Sequence, residues 1–170
     1  MTTTFQQIST DGTKRLAGKY LTFAIERESY GLDVLQVREI IRLTSITAVP
    51  QVPHYVSGVI NLRGKIIPVI DLRLRFGIAA VKNTDHTCII VVQVKLPDGK
   101  ASPMGMIVDG VEEVVSLAAS DIEETPDFGT QEAASYILGM AKVKGAVKTL
   151  LNINRILAAE DTMHLAAAVC

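Results

Sequence analysis

Residues 58–72 read GVINLRGKIIPVIDL. Val59, Ile60 and Leu62 precede the pair Arg63-Gly64, and Ile66, Ile67, Val69 and Ile70 follow it. Two β-branched runs joined by a two-residue break that contains glycine predict a β-hairpin. Gly64 takes the positive φ of a tight turn without steric cost. Pro68 removes a ladder donor, so the second strand is expected to lie at an edge or to bulge there. Asp71 is placed to cap a short helical turn, LRLRF, that Gly77 stops. Arg63 then stands at the tip of an apolar ribbon. A charge held there makes a specific contact or is merely solvated, and the local sequence favours the solvated reading.

Upstream, Tyr20–Ile25 reads as a strand, residues 26–29 as a polar loop, and Tyr30-Gly31-Leu32 as the return. DVLQVREII places Val34, Val37 and Ile40 or Ile41 at helical spacing, which predicts a short helical turn, while its β-branched content also suits a strand. Thr44 to Val49 reads as extended, and Pro50 and Pro53 stiffen the approach to Tyr55. Downstream, Cys88–Leu96 is a buried strand, Asp98-Gly99 a turn and Met104–Val108 a return. Tyr136 to Leu151 repeats the pattern of strand, Lys144-Gly145 turn and strand. Asn152 or Asn154 caps a last helix, NRILAAEDTMHLAAAV, packed by Ile156, Leu157 and Leu165. Residues 1–18 are read as a flexible tail, 19–157 as the folded domain and 158–170 as helix end and tail.

The two halves resemble each other. Gly31, Val34, Val37, Glu39, Ile40 and Ile41 match Gly105, Val108, Val111, Glu113, Val114 and Val115. Ile46 to Pro50 echoes Ile122 to Pro126. Tyr55, Gly58, Arg63-Gly64 and Asp71 match Tyr136, Gly139, Lys144-Gly145 and Asn152. An all-β unit this small leaves edges and an uncovered face, and closure into a barrel removes both. The expected fold is mainly β: two small five-stranded barrels related by the repeat, with short helices and a C-terminal helix. Whether the halves exchange strands is left open.

The chain has 170 residues, 48% apolar and 21% charged, with a net charge of −1. That suits a globular protein with a core and gives no electrostatic pull toward nucleic acid. Cys88 and Cys170 sit in unlike settings and suggest no disulfide framework. No stretch has the length of a membrane span or a signal core, so a soluble, cytoplasmic protein without membrane insertion is expected.

The stretches YLTFAI, ESYGLDVLQVREII, AVPQVPHYVSGVINLRGKIIPVIDLRLRFG, MIVDGVEEVVSL and YILGMAKVKGAVKTLLNINRIL resemble the CheW-type chemotaxis coupling proteins, from about Tyr20 to Leu157. The resemblance implies paired SH3-like barrels. It also implies a non-enzymatic adaptor that joins the regulatory domain of the histidine kinase CheA to the cytoplasmic tip of a chemoreceptor, recruited to membrane-bound receptor–kinase arrays. A groove between the barrels would take the receptor helix. Glu39 and Arg63 match family residues important for these contacts, and Gly58 matches a family glycine whose role is equally read as a bulge or close backbone approach. Val34, Val37 and Ile40 would offer an apolar strip to an amphipathic helix, or belong to the core. Lys144 stands where the first repeat has Arg63 and lacks the planar guanidinium fork, so the specific contact is expected at Arg63. The same resemblance would suit a domain cut from a longer chemotaxis chain, but the polar start and C-terminal helix favour a free-standing protein.

Catalytic motifs are missing. His54, His86 and His164 are scattered, there is no C-x-x-C, and no P-loop, G-x-G-x-x-G or G-x-S-x-G occurs. Asp109, Glu112 and Glu113 lack calcium-loop alternation and are read as a solvated edge. No catalytic residue, metal or cofactor is expected. A barrel enzyme and a strand-binding nucleic-acid protein are the competing classes, the second disfavoured by 5% aromatics and no basic stripe.

Overall fold

Arg63 and Gly64 have φ of +53° and +85°, so both central residues of the turn are left-handed. This turn's twist matches that of the flanking strands. Asn61 fixes it further by accepting a hydrogen bond from the Gly64 N–H at 2.8 Å. The strands it joins are β4 (Val56–Leu62) and β5 (Lys65–Asp71). The computed structural model describes residues 16–78, 81–96, 98–127, 129 and 135–157. The proposed N-terminal tail before residue 16 and the Ala-rich continuation beyond Leu157, with Leu165 and Cys170, lie outside them.

Eleven strands among the described residues form two sheets. One joins β8 (Gly110–Leu117), β1 (Gly18–Ile25), β2 (Glu28–Asp33), β11 (Ala146–Leu151), β10 (Ile137–Val143) and β9 (Ile122–Glu123), in that order. The other joins β3 (Val37–Arg42), β6 (Cys88–Lys95), β7 (Ala101–Val108), β5 and β4. Each sheet bends round until its two edges are consecutive in the chain. In the first barrel a 3-10 turn, Ala119–Asp121, carries β8 directly into β9. In the second, the segment after β3 bridges to β4 through paired Thr47–Val59 backbone hydrogen bonds of 2.9 Å each.

The repeat maps onto this topology with a crossing. The β1–β2 hairpin of the first repeat pairs with β8 and β11 of the second, and β6–β7 of the second pairs with β3 and β5 of the first. Both crossover contacts, β2 with β11 and β5 with β7, are parallel. Pro68 fits because β5 meets β7 only from Val69 onward, so the missing N–H falls on an edge.

Three apolar clusters follow from strand alternation. Ile60, Ile67, Val69, Ile89, Val91 and Ile107 fill the second barrel. Tyr20, Leu117, Ile122, Ala141 and Leu150 fill the first. The largest cluster lies between the barrels, where Leu21, Phe23 and Ile25 meet Ile90, Val92, Val94, Met104 and Met106. This explains the unbroken run at Cys88–Leu96: β6 buries both faces. Ile153, Ile156 and Leu157 of the last described helix join the same layer. Asn152 caps that helix, accepting from the Arg155 N–H at 3.3 Å, whereas Asn154 accepts from the Lys95 N–H of β6.

DVLQVREII divides. Val34–Gln36 is a 3-10 turn capped by Asp33, and Val37–Arg42 is strand β3 rather than helix. Its β-branched residues pair with β6, with a bulge between Val37 and Glu39.

Asp71 does cap the helix Leu72–Arg75, accepting from the Arg73 N–H at 3.0 Å. It also takes Nε and Nη2 of buried Arg73, at 2.9 Å each. The remaining guanidinium contacts go to Asp109 at 3.1 Å, Asn83 at 2.9 Å and the Lys82 carbonyl at 3.4 Å. The bidentate hydrogen bond to Asp71 is the first cause holding the Arg73 pKa above its ordinary value. Replacing Arg73 with methionine strands the buried Asp71 carboxylate and is expected to cost about 3–5 kcal/mol in urea unfolding. Arg73→Met/Asp71→Asn should recover most of that loss.

Candidate functional site

Strand β3 alternates. Val37, Glu39 and Ile41 are half-buried, and Arg38, Ile40 and Arg42 are exposed. Glu39 therefore leans toward the barrel mouth, where the β4–β5 turn delivers Arg63. The two side chains meet through both carboxylate oxygens: Nη1 to Oε2 at 2.5 Å and Nη2 to Oε1 at 2.7 Å. The Glu39 side chain is 26% exposed and that of Arg63 is 72% exposed, so the carboxylate is shielded while the guanidinium faces solvent. The hydrogen bond from Arg63 lowers the Glu39 pKa below the ordinary glutamate value. The same contact raises that of Arg63. A concavity of about 190 Å³ opens beside the pair, lined by Arg38, Lys65, Leu62, Ile67, Val91 and Pro103 among others.

The other expected residues are distributed differently. Val37 packs against the shared apolar layer, so only part of it is available at the surface. Val34 is half-buried in the 3-10 turn. Ile40 is 45% exposed, and Leu35, which the sequence reading did not single out, is 87% exposed. Gly58 is buried at a bulge with φ of +141°, and a Cβ there would stand 2.0 Å from the Thr47 carbonyl oxygen. Its described role is to let the Thr47 strand close the second barrel, and it offers no side chain to a partner. None of Val34, Val37, Ile40 and Gly58 lines the concavity beside Arg63.

The first barrel carries a counterpart of the pair. Lys144 Nζ lies 3.5 Å from Glu113 Oε1, on a turn where Lys144 and Gly145 have φ of +51° and +81°. The matched positions of the repeat, Glu39 with Glu113 and Arg63 with Lys144, are the sequence signal for this contact. Glu112 and Glu113 are exposed, as a solvated acidic edge requires, whereas Asp109 is half-buried, and all three are engaged in contacts. Asp109 accepts from the Glu26 N–H and from Arg73, and Glu112 accepts from Ser29 and from nearly buried Lys148, at 3.4 Å for the latter. Among the described residues no group of His, Cys, Asp and Glu is arranged to hold a metal ion.

The CheW-like domain family matches residues 19–161. The chain belongs to the CheW-like family. It is 34% identical to the chemotaxis protein CheW of Klebsiella aerogenes over 86% of this chain and 89% of that one. It is 31% identical to the chemotaxis protein CheW of Rhizobium meliloti over 83% and 88%. The crystal structure of the scaffolding protein TtCheW from Thermoanaerobacter tengcongensis superposes with a TM-score of 0.74 at 34% identity, covering 85% of this chain and 95% of that one. The chain is thus a chemotaxis coupling adaptor between receptors and the histidine kinase CheA, and not an enzyme. No helix among its described residues is long and apolar enough to cross a membrane.

Two expected outcomes test this geometry. Gly58→Ala should cost roughly 3 kcal/mol or more by chemical denaturation, whereas Gly64→Ala, with open space around its Cβ, should cost about 1 kcal/mol. Because the Glu39 pKa is depressed on folding, the pair is intact at every pH above the unfolded carboxylate value and is lost only as acid approaches the lower folded value. Side-chain carboxyl NMR should therefore show Glu39 titrating below the ordinary glutamate value, and Arg63→Gln should move it back up.

Proposed function

We propose that this adaptor bridges the regulatory domain of CheA and the cytoplasmic tip of a chemoreceptor, working in the cytoplasm and recruited to membrane-bound receptor–kinase arrays. The working unit is the domain of residues 19–157, with 1–18 and 158–170 as appended segments. The observation that carries this reading is the exposed, bidentate Arg63–Glu39 pair. An ion pair on the surface adds little to stability, whereas a fixed guanidinium on a rigid turn sets partner register and rejects wrong charges. Arg63 and Glu39 are the contact pair. Gly58 acts indirectly, holding the hairpin whose tip carries Arg63. Val34, Val37 and Ile40 supply apolar area to the receptor helix, with Val37 anchored in the shared layer.

The test is a reconstitution of kinase autophosphorylation with this protein, a receptor signalling domain and CheA from the same source. Kinase control should require the protein. Arg63→Ala and Glu39→Ala should each abolish that control with little change in melting temperature. A kinase that responds equally without the protein would overturn the bridging role. Leu35→Ala and Ile40→Ala serve as surface probes, because aspartate at Val37 would disturb the core as well as any partner contact.

A further inference from the structure

The two hairpin tips share one construction but not one charge. At the second barrel Arg38, Arg63 and Lys65 surround a single carboxylate, Glu39, which Arg63 already holds through both oxygens. At the matching positions of the first barrel stand Glu112, Lys144 and Ala146, with Glu113 in the place of Glu39. Lys148 there reaches Glu112, so that tip has no surplus of positive charge. Three cations around one anion in one barrel become a balanced set in the other, where Lys144 stands beside Glu113 and Lys148 beside Glu112.

The surplus at the second barrel is unspent. Lys65 makes no ion pair among the described residues, and Arg38 donates only to the neutral side-chain oxygen of Gln93, at 2.6 Å. Between them lies the concavity of about 190 Å³, floored by Leu62, Ile67, Val91 and Pro103. That space admits one or two side chains and is too small to seat a helix, which is about 10 Å across. None of its lining residues is aromatic, so it offers no stacking platform for bases. Glu39 is already held by Arg63, which leaves Arg38 and Lys65 open to a carboxylate, and the apolar floor beside them suits an amino-acid side chain better than a phosphate.

We propose that the second-barrel tip recognises an acidic segment of a protein partner: one carboxylate meets Arg38 and Lys65, and an adjacent apolar side chain fills the concavity. The first-barrel tip, with Glu112 and Glu113 at the same places, rejects that segment, so the pseudo-symmetric molecule presents two unlike ends. The inference rests on the adaptor reading and adds the chemistry of what one face recognises.

Arg38→Ala/Lys65→Ala tests it, with Arg38→Lys/Lys65→Arg as the charge-keeping control. Binding is measured by calorimetry to the CheA regulatory domain, to a receptor signalling tip and to phosphatidylglycerol vesicles, at low and high salt. The neutral variant should bind the protein that supplies the acidic segment about tenfold more weakly at low salt. The gap should close as salt screens the contact, and the charge-keeping variant should bind as the wild type does. Wild-type affinity of the neutral variant for both proteins overturns the inference and leaves the adaptor reading standing. A loss confined to vesicles overturns it in favour of a lipid surface. A wild-type protein that binds neither protein partner overturns the adaptor reading and the inference together.

Discussion

The apolar layer between the barrels is the constraint on which the rest depends. Phe23, Leu32, Ile90, Met104 and Met106 are fully buried in it, and they come from strands of both sheets. Neither barrel could leave this layer without exposing its largest side chains to water, so the two move as one body. Strands β1, β6 and β7 bury both faces as a result, one inside a barrel and one in the layer. Arg75 adds a polar tie at the same junction. Its guanidinium lies 5.0 Å from the Tyr55 ring centre and 5.1 Å from that of Tyr136, and it donates to the Tyr136 hydroxyl. The two tyrosines are repeat counterparts that open equivalent hairpins, so one cation serves both halves.

On that rigid frame the two tips behave as a matched pair with different settings. The backbone is nearly conserved between them: two left-handed residues per turn, a bulge before each hairpin and an acidic residue on the neighbouring strand. The contacts are not. Arginine reaches both oxygens of Glu39, whereas lysine reaches one oxygen of Glu113 at 3.5 Å. A planar fork fixes direction as well as distance, and an ammonium fixes neither. Four of the exposed apolar residues follow the same doubling, Ile40 with Val114 and Ile66 with Val147, while Leu35 has Asp109 as its counterpart.

Much of the fold was legible because it is written in local chemistry. The hairpin at Arg63-Gly64, the cap at Asp71 and the doubled pattern all rest on residues a few positions apart. The all-β character followed, and the family resemblance agreed with it. What was illegible depends on contacts distant in sequence. Helical spacing in DVLQVREII competed with β-branching, and pairing with β6 decided the outcome from Val37 onward. Arg73 looked like an ordinary helix residue until Asp109, brought in by β7, joined Asp71 around it. Glu39 and Arg63 were legible as candidates through resemblance, but the two-oxygen contact depends on β3 lying as a strand that turns Glu39 toward the mouth where the β4–β5 turn brings Arg63. Val37 shows the limit of pattern reading, since an apolar strip and a core face look alike until the packing is known.

The crossing of strands between repeats has a further consequence, for inheritance. A cut between the repeats separates β1–β2 from β8 and β11, and β6–β7 from β3 and β5, so neither piece retains a closed barrel. Half of the molecule is therefore not a module that recombination can move or lose alone. The doubled unit travels whole, and divergence between its halves is channelled to the outward tips, where a changed charge alters a partner without disturbing the layer both halves share.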